Sequence, residues 1–123
     1  MKTTVEDNTK MLVAAIVDGI REKKGKNISI LDMRGVDDAI CDYMVIGEGN
    51  TPIQVDAIED SIWDIVHSRL NEKPIHEHKG VGEWIAMDYS DVIVHLFIPE
   101  LRSYYNIEGL WSDADIQFLP DEE

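Results

Sequence analysis

Gly82-Glu83-Trp84-Ile85-Ala86-Met87-Asp88-Tyr89-Ser90-Asp91-Val92-Ile93-Val94-His95-Leu96-Phe97 decides the fold class, because two alternating runs flank a short polar turn. Such a pattern predicts a β-hairpin. A turn made of Ser90 and Asp91 sets Tyr89 against Val92, Met87 against Val94 and Ile85 against Leu96. One face is then wholly apolar and belongs in a core. The other carries Trp84, Ala86 and Asp88 beside Ile93, His95 and Phe97. Aromatic, acidic and imidazole groups together suit a contact surface better than a core. That face is the expected functional one.

Outward from the hairpin, the chain punctuates itself clearly. Upstream, Thr51 is a good N-cap, Pro52 suits the first helical position and Gln54 completes a capping box. Val55, Ile58, Ile62, Ile65, Val66 and Leu70 then hold the helical period, with Trp63 at the rim of the core. Residues 71–79 are polar, with Pro74 barring continuation, and read as a solvated loop. Near the N-terminus, Thr3 and Thr4 followed by Glu6 and Asp7 predict a helix start. Leu12, Val13, Ile16, Val17 and Ile20 form its buried stripe, Lys23 and Lys24 its last turn, and Gly25 the left-handed residue beyond. Residues 28–33 and 43–47 read as strands, the second more buried. After Pro99, residues 100–105 suit a short helical turn. From Asn106 the chain reads as irregular, with Trp111 pinning the C-terminus to the body. The expected fold is mixed α/β (α+β): a small mixed β-sheet with helices packed on it. Residues 1–112 form one domain, and residues 113–123 an acidic tail.

The 123 residues, 44% of them hydrophobic, fit that single domain. The longest wholly apolar stretch, residues 11–17, is too short for a membrane span, and the first ten residues lack a secretory pattern. The single cysteine, Cys41, fits a reducing cytosol and a cytoplasmic protein. Eleven Lys and Arg against 25 Asp and Glu leave a formal charge of −14. That field disfavours phosphate backbones and speeds encounter with basic partners, although solubility alone also explains it.

Several constellations invite chemistry and have plainer explanations. The loop Gly47-Glu48-Gly49-Asn50-Thr51 joins a strand to a helix as phosphate loops do, but it lacks a lysine and carries Glu48. Asp32, Asp37, Asp38 and Asp42 cluster in sequence as the carboxylates of a magnesium-dependent transferase would, with Arg34 the sole basic neighbour; turn-forming, solvated aspartates are the more ordinary explanation. An extended course would put His76 and His78 on one face as a chelating pair, yet no cysteine stands near. Cys41 has no histidine beside it in sequence and no serine elbow appears, so nucleophilic catalysis has no support. Trp84 on the mixed face reads slightly better from sequence alone as covered by another element; left open, it joins Arg102, Tyr104 and Tyr105 just after the hairpin in the composition of a protein-binding hot spot.

Three segments carry a resemblance. Asp42-Tyr43-Met44-Val45-Ile46-Gly47 with Asn50 and Gln54, then residues 82–88 with Asp91-Val92-Ile93-Val94-His95, then Glu100, Arg102, Tyr105, Leu110 and Trp111, resemble the ribosomal silencing factor family, or Iojap-like proteins. The likeness spans roughly residues 11–111. Ser90 stands where the family's turn usually has glycine, and the acidic residues after Trp111 lie outside the pattern.

The resemblance implies a fold like that of nucleotidyltransferases without their activity: no enzyme, cofactor or metal. It also implies binding to the large ribosomal subunit through its basic ribosomal protein numbered fourteen, which blocks joining of the small subunit. Trp84 would anchor the contact and Asp88, Asp91 and Glu100 would face basic side chains, with Tyr105 and His95 second in rank and His95 alternatively orienting the hairpin from beneath. Little direct nucleic-acid contact is expected, and monomer and homodimer both stay open. A magnesium-dependent nucleotidyltransferase using Asp32, Asp38 or Asp42 is the competing expectation.

Overall fold

The computed structural model describes residues 5–122. Helix α1 (Val5–Glu22) buries Leu12, Ala15, Ile16, Val17 and Ile20. The predicted Thr3/Thr4 start lies outside the described residues. At its other end the left-handed residue is Lys24 (φ 60°), not Gly25. Lys24 N donates to Arg21 O and Gly25 N to Ile20 O, at 3.0 and 2.9 Å, the paired bonds of a Schellman cap. Gly25 is required by packing instead, since a Cβ there would meet the Ile20 side chain at 2.3 Å.

Strand β1 (Lys26–Asp32) and strand β2 (Tyr43–Glu48) pair antiparallel, and helix α2 (Pro52–Leu70) follows. Thr51 Oγ1 accepts from Gln54 N at 3.1 Å, as the cap predicts. Gln54 Oε1 accepts from Asn50 N rather than Thr51 N, at 2.7 Å, and its amide group donates to Lys23 O and Lys24 O. The cap thus also ties α2 to the end of α1.

The polar stretch predicted as loop contains an edge strand, β3 (His76–His78), antiparallel to β4 (Trp84–Asp88). Backbone pairing with β4 overrides the poor strand propensity of His-Glu-His. β4 and β5 (Val92–Phe97) form the predicted hairpin in the predicted register: Ile85 opposite Leu96 and Met87 opposite Val94. Two short helices, α3 (Pro99–Tyr105) and α4 (Ile107–Leu110), lead to strand β6 (Asp115–Phe118) on the far side of β1. The course from Asn106 is therefore regular, and the acidic stretch enters the sheet. Four-residue elements offer too little period to be seen in sequence.

The mixed six-stranded sheet runs β3-β4-β5-β2-β1-β6, with β2 and β5 parallel. α1 and α2 cover one face, burying Ile85, Met87, Val92, Val94 and Leu96 of the hairpin completely. Each such side chain contributes about 1.5–3 kcal/mol relative to exposure. On the opposite face Leu31, Met33, Met44, Ile46 and Phe97 form a second core, against which residues of α3, α4 and β6 pack. That cover reaches the start of β4, where Tyr105 packs on Trp84, and leaves the rest of β4 and β3 more open. Among the described residues, no helix is long and apolar enough to cross a membrane.

Candidate functional site

The uncovered end of the second face is built on β4 and β5. Side chains alternate along a strand, so Trp84, Ala86 and Asp88 share this face with Ile93 and His95, all half-buried. Phe97 does not belong to the surface as its alternation predicts: it is 0% exposed and forms the floor under Trp84. The two rings stack with centroids 5.4 Å apart and planes at 18°. Tyr105 packs 4.7 Å from Trp84 from above, and His78 meets its edge at 6.3 Å.

Trp84 is oriented by a hydrogen bond as well as by stacking. Its Nε1–H donates to Nδ1 of His95 at 3.1 Å. Indole can only donate, so that imidazole nitrogen must be unprotonated. Burial lowers the His95 pKa from 6.5 to about 4, against a smaller upward pull from Glu108. Neutral His95 is an orienting support beneath the tryptophan rather than a group reaching outward.

Tyr105 is positioned by α3, and α3 by Arg102. That guanidinium, only 10% exposed, pairs with Glu48 at 3.1 Å and Glu108 at 2.5 Å, and donates to Asn27 O and to Ser29 Oγ. Sequence places Arg102 among outward-facing hot-spot groups; the structure buries it as the clamp between α3, α4 and the sheet. Its partners lie as much as 75 residues away in sequence, so no local signal marked them. Asn106, in the left-handed region (φ 47°), ends α3 and caps α4 by accepting from Gly109 N at 3.2 Å. Beyond Tyr105, 46% exposed, Tyr104 is 73% exposed and touches it edge-on at 5.1 Å.

The carboxylates divide between the two ends of the hairpin. Glu100 is exposed in the first turn of α3, two residues after Ile98, whose N donates to Glu83 O beside Trp84 at 3.0 Å. Asp88 lies four positions along β4 from Trp84, about 13 Å away at the usual strand rise. Its Oδ1 accepts from Ser90 N at 2.7 Å, which braces the turn. Asp91 is exposed beyond it, its carbonyl accepting from Asp42 N and Tyr43 N. Trp84, His95 and Tyr105 therefore form one cluster, with Glu100 at the same end of the hairpin, while Asp88 and Asp91 sit apart. His76 and His78, opposite Asp88 and Ala86, border the same face. Sequence weighs His78 only as half of a chelating pair and Tyr104 only as part of the hot-spot composition; placing His78 beside Trp84 needs β3.

The competing chemistries fare poorly in this geometry. Asp32 is held by Arg34 through bonds of 2.9 and 2.7 Å, Asp38 sits in an exposed turn, and Asp42 serves as a backbone bridge. Among the described residues, no three His, Cys, Asp or Glu side chains converge to hold a metal ion. In the loop at residues 47–51, Gly49 N donates to Phe97 O and Asn50 N to Gln54, so these backbone donors already have internal acceptors. Burial pushes the Cys41 thiol up to about 11, which keeps it protonated and a poor nucleophile.

Residues 6–123 match a family model described as "Ribosomal silencing factor during starvation". The chain is 35% identical over 114 residues to "Ribosomal silencing factor RsfS" of Bacillus subtilis, covering 91% of this chain and 94% of that protein. It is 26% identical over 110 residues to "Mitochondrial assembly of ribosomal large subunit protein 1" of Mus musculus, covering 84% of this chain and 46% of that protein. A crystal structure of a Chromobacterium violaceum protein superposes with a TM-score of 0.77 at 26% identity, covering 91% of this chain and 88% of that one.

Proposed function

This chain belongs to the ribosomal silencing factor family, and we propose that it represses translation by occupying the large ribosomal subunit so that the small subunit cannot join. The contact is with the basic ribosomal protein numbered fourteen, and repression needs no catalysis, cofactor or metal. The action takes place in the cytoplasm, where ribosomes are assembled and used.

One observation carries this reading. A strongly acidic chain leaves one end of a sheet face uncovered, and that end holds a tryptophan fixed from three sides, by Phe97, His95 and Tyr105. A rigid half-buried aromatic is the usual centre of a protein interface. Opposite charge on the partner raises the association rate, and the apolar centre sets the lifetime of the complex. Trp84 is the anchor. Tyr105 and Glu100 complete its surroundings, His95 holds it, and Asp88 and Asp91 meet basic side chains at the far end of the hairpin.

The test is subunit joining. Purified protein is added to separated subunits, and joined ribosomes are measured by sedimentation. Joined particles should decline as the large subunit becomes saturated. Undiminished joining on a saturated large subunit would end the steric account.

A further inference from the structure

The first turn of α2 and the turn after β3 meet at one corner and hold two large apolar side chains in solvent. Ile53 is 83% exposed and Val81 82%, and both line a cleft of about 360 Å³ together with Pro52. Single exposed apolar residues are ordinary, but a neighbouring pair on a fixed base is less so.

The base is fixed by identifiable bonds. Gly82 N donates to Lys79 O at 2.9 Å, closing a turn whose corner is Gly80 (φ 50°) and Val81. Gly82 takes φ 85° with its Cα against Pro52, where a Cβ would come within 3.3 Å. Lys79 fastens the turn to α2 through Asp56 at 3.1 Å and the buried carboxylate of Glu59 at 2.9 Å. A β-turn this strongly tied presents Val81 outward as a consequence of its geometry.

The corner is continuous with the Trp84 face. Val81 is three residues from Trp84, Glu83 O accepts from Ile98 N, and Gly49 N donates to Phe97 O. These bonds bring the starts of α2, β4 and α3 together. The corner's one lysine is neutralised by two carboxylates, which leaves Glu83 and Glu100 to set the local charge. An apolar pair with an acidic rim fits a basic protein surface.

We propose that Ile53 and Val81 form a second contact with the same basic ribosomal protein that covers Trp84, so that the interface wraps from the sheet face around this corner. This rests on the function proposed above. It commits to one occupant because charge and continuity with the Trp84 face both point to it.

The test compares wild type, Trp84→Ala and the double variant Ile53→Ser/Val81→Ser for binding to isolated large subunits. Sedimentation equilibrium of the free proteins runs in parallel. The double variant should keep its thermal stability, since both side chains are exposed, and should lose tenfold or more in affinity. Its salt dependence should match wild type, because no charge is removed. Wild-type affinity in the double variant would overturn the second contact while leaving the Trp84 account intact. Loss of self-association in the double variant, with large-subunit binding unchanged, would overturn it in favour of a contact between copies of this chain. Absence of binding by wild type would remove the proposed function itself, and this contact with it.

Discussion

Trp84 Nε1–H donates to His95 Nδ1 at 3.1 Å, joining the two strands of the hairpin through the side chains of its uncovered face. The bond requires His95 neutral, and burial keeps it so, with a pKa of about 4. An unfolded chain titrates this histidine near 6.5. The unfolded state therefore binds the proton more readily. Stability from this site is complete above pH ~6.5 and is lost as pH falls towards about 4. A shift of this size corresponds to something on the order of 3 kcal/mol. Denaturant unfolding at pH 7 and pH 5 should show the loss in wild type and a smaller one in His95→Gln. Equal losses in both proteins would mean that His95 is not the titrating group.

Ser90 forms the corner of the hairpin at φ 75°, where Asp91 N donates back to Tyr89 O at 3.0 Å. A γ-turn of this hand is strained for a residue with a Cβ. Ser90→Gly should raise stability by about 1 kcal/mol, read as a higher unfolding midpoint with an unchanged denaturant slope. A destabilised variant would show that the serine makes a compensating bond.

Tyr89 is 4% exposed, and its buried hydroxyl has no hydrogen-bond partner among the described residues. Burial and the nearby Glu77, Glu59 and Glu72 all push its pKa upward, so it stays protonated. Tyr89→Phe removes a desolvated donor at little change in shape. The variant should be more stable by about 1 kcal/mol. A loss of similar size in thermal or denaturant unfolding would contradict this and indicate a bonded hydroxyl.

Arg102 holds two helices to the sheet from a largely buried position. Arg102→Met leaves Glu48 and Glu108 facing each other without a cation and should cost about 3 kcal/mol. Arg102→Lys should recover only part of this, because an ammonium cannot reproduce the forked geometry. Full stability in Arg102→Met would show that the carboxylates relax freely into solvent.

Strong periodicity made much of this legible in sequence. The hairpin register, the apolar face of β4 and β5, the Thr51 cap and the stripe on α2 all follow from local patterns that tertiary packing reinforces. Other features were hidden for physical reasons. β3 is three polar residues placed by backbone pairing with β4, and β6 lies within an acidic stretch that sequence treats as a tail. Phe97 alternates like a surface residue, but the cover over it comes from elements beyond the hairpin. The left-handed residue after α1 is Lys24 rather than its glycine neighbour, because Gly25 is needed for close approach to Ile20. The aromatic residues that sequence groups by composition do lie together, yet telling support from surface needed the fold: Arg102 turns inward and Tyr104 outward.

The central claim is that Trp84 anchors the chain to the large subunit. The most direct measurement is the affinity of wild type and Trp84→Ala for isolated large subunits, with circular dichroism confirming that the variant is folded. Loss of a central aromatic anchor costs about 2 kcal/mol or more, roughly a thirtyfold weakening. The account predicts at least that loss, with subunit joining restored at concentrations where wild type blocks it. Wild-type affinity in a folded Trp84→Ala protein would contradict it.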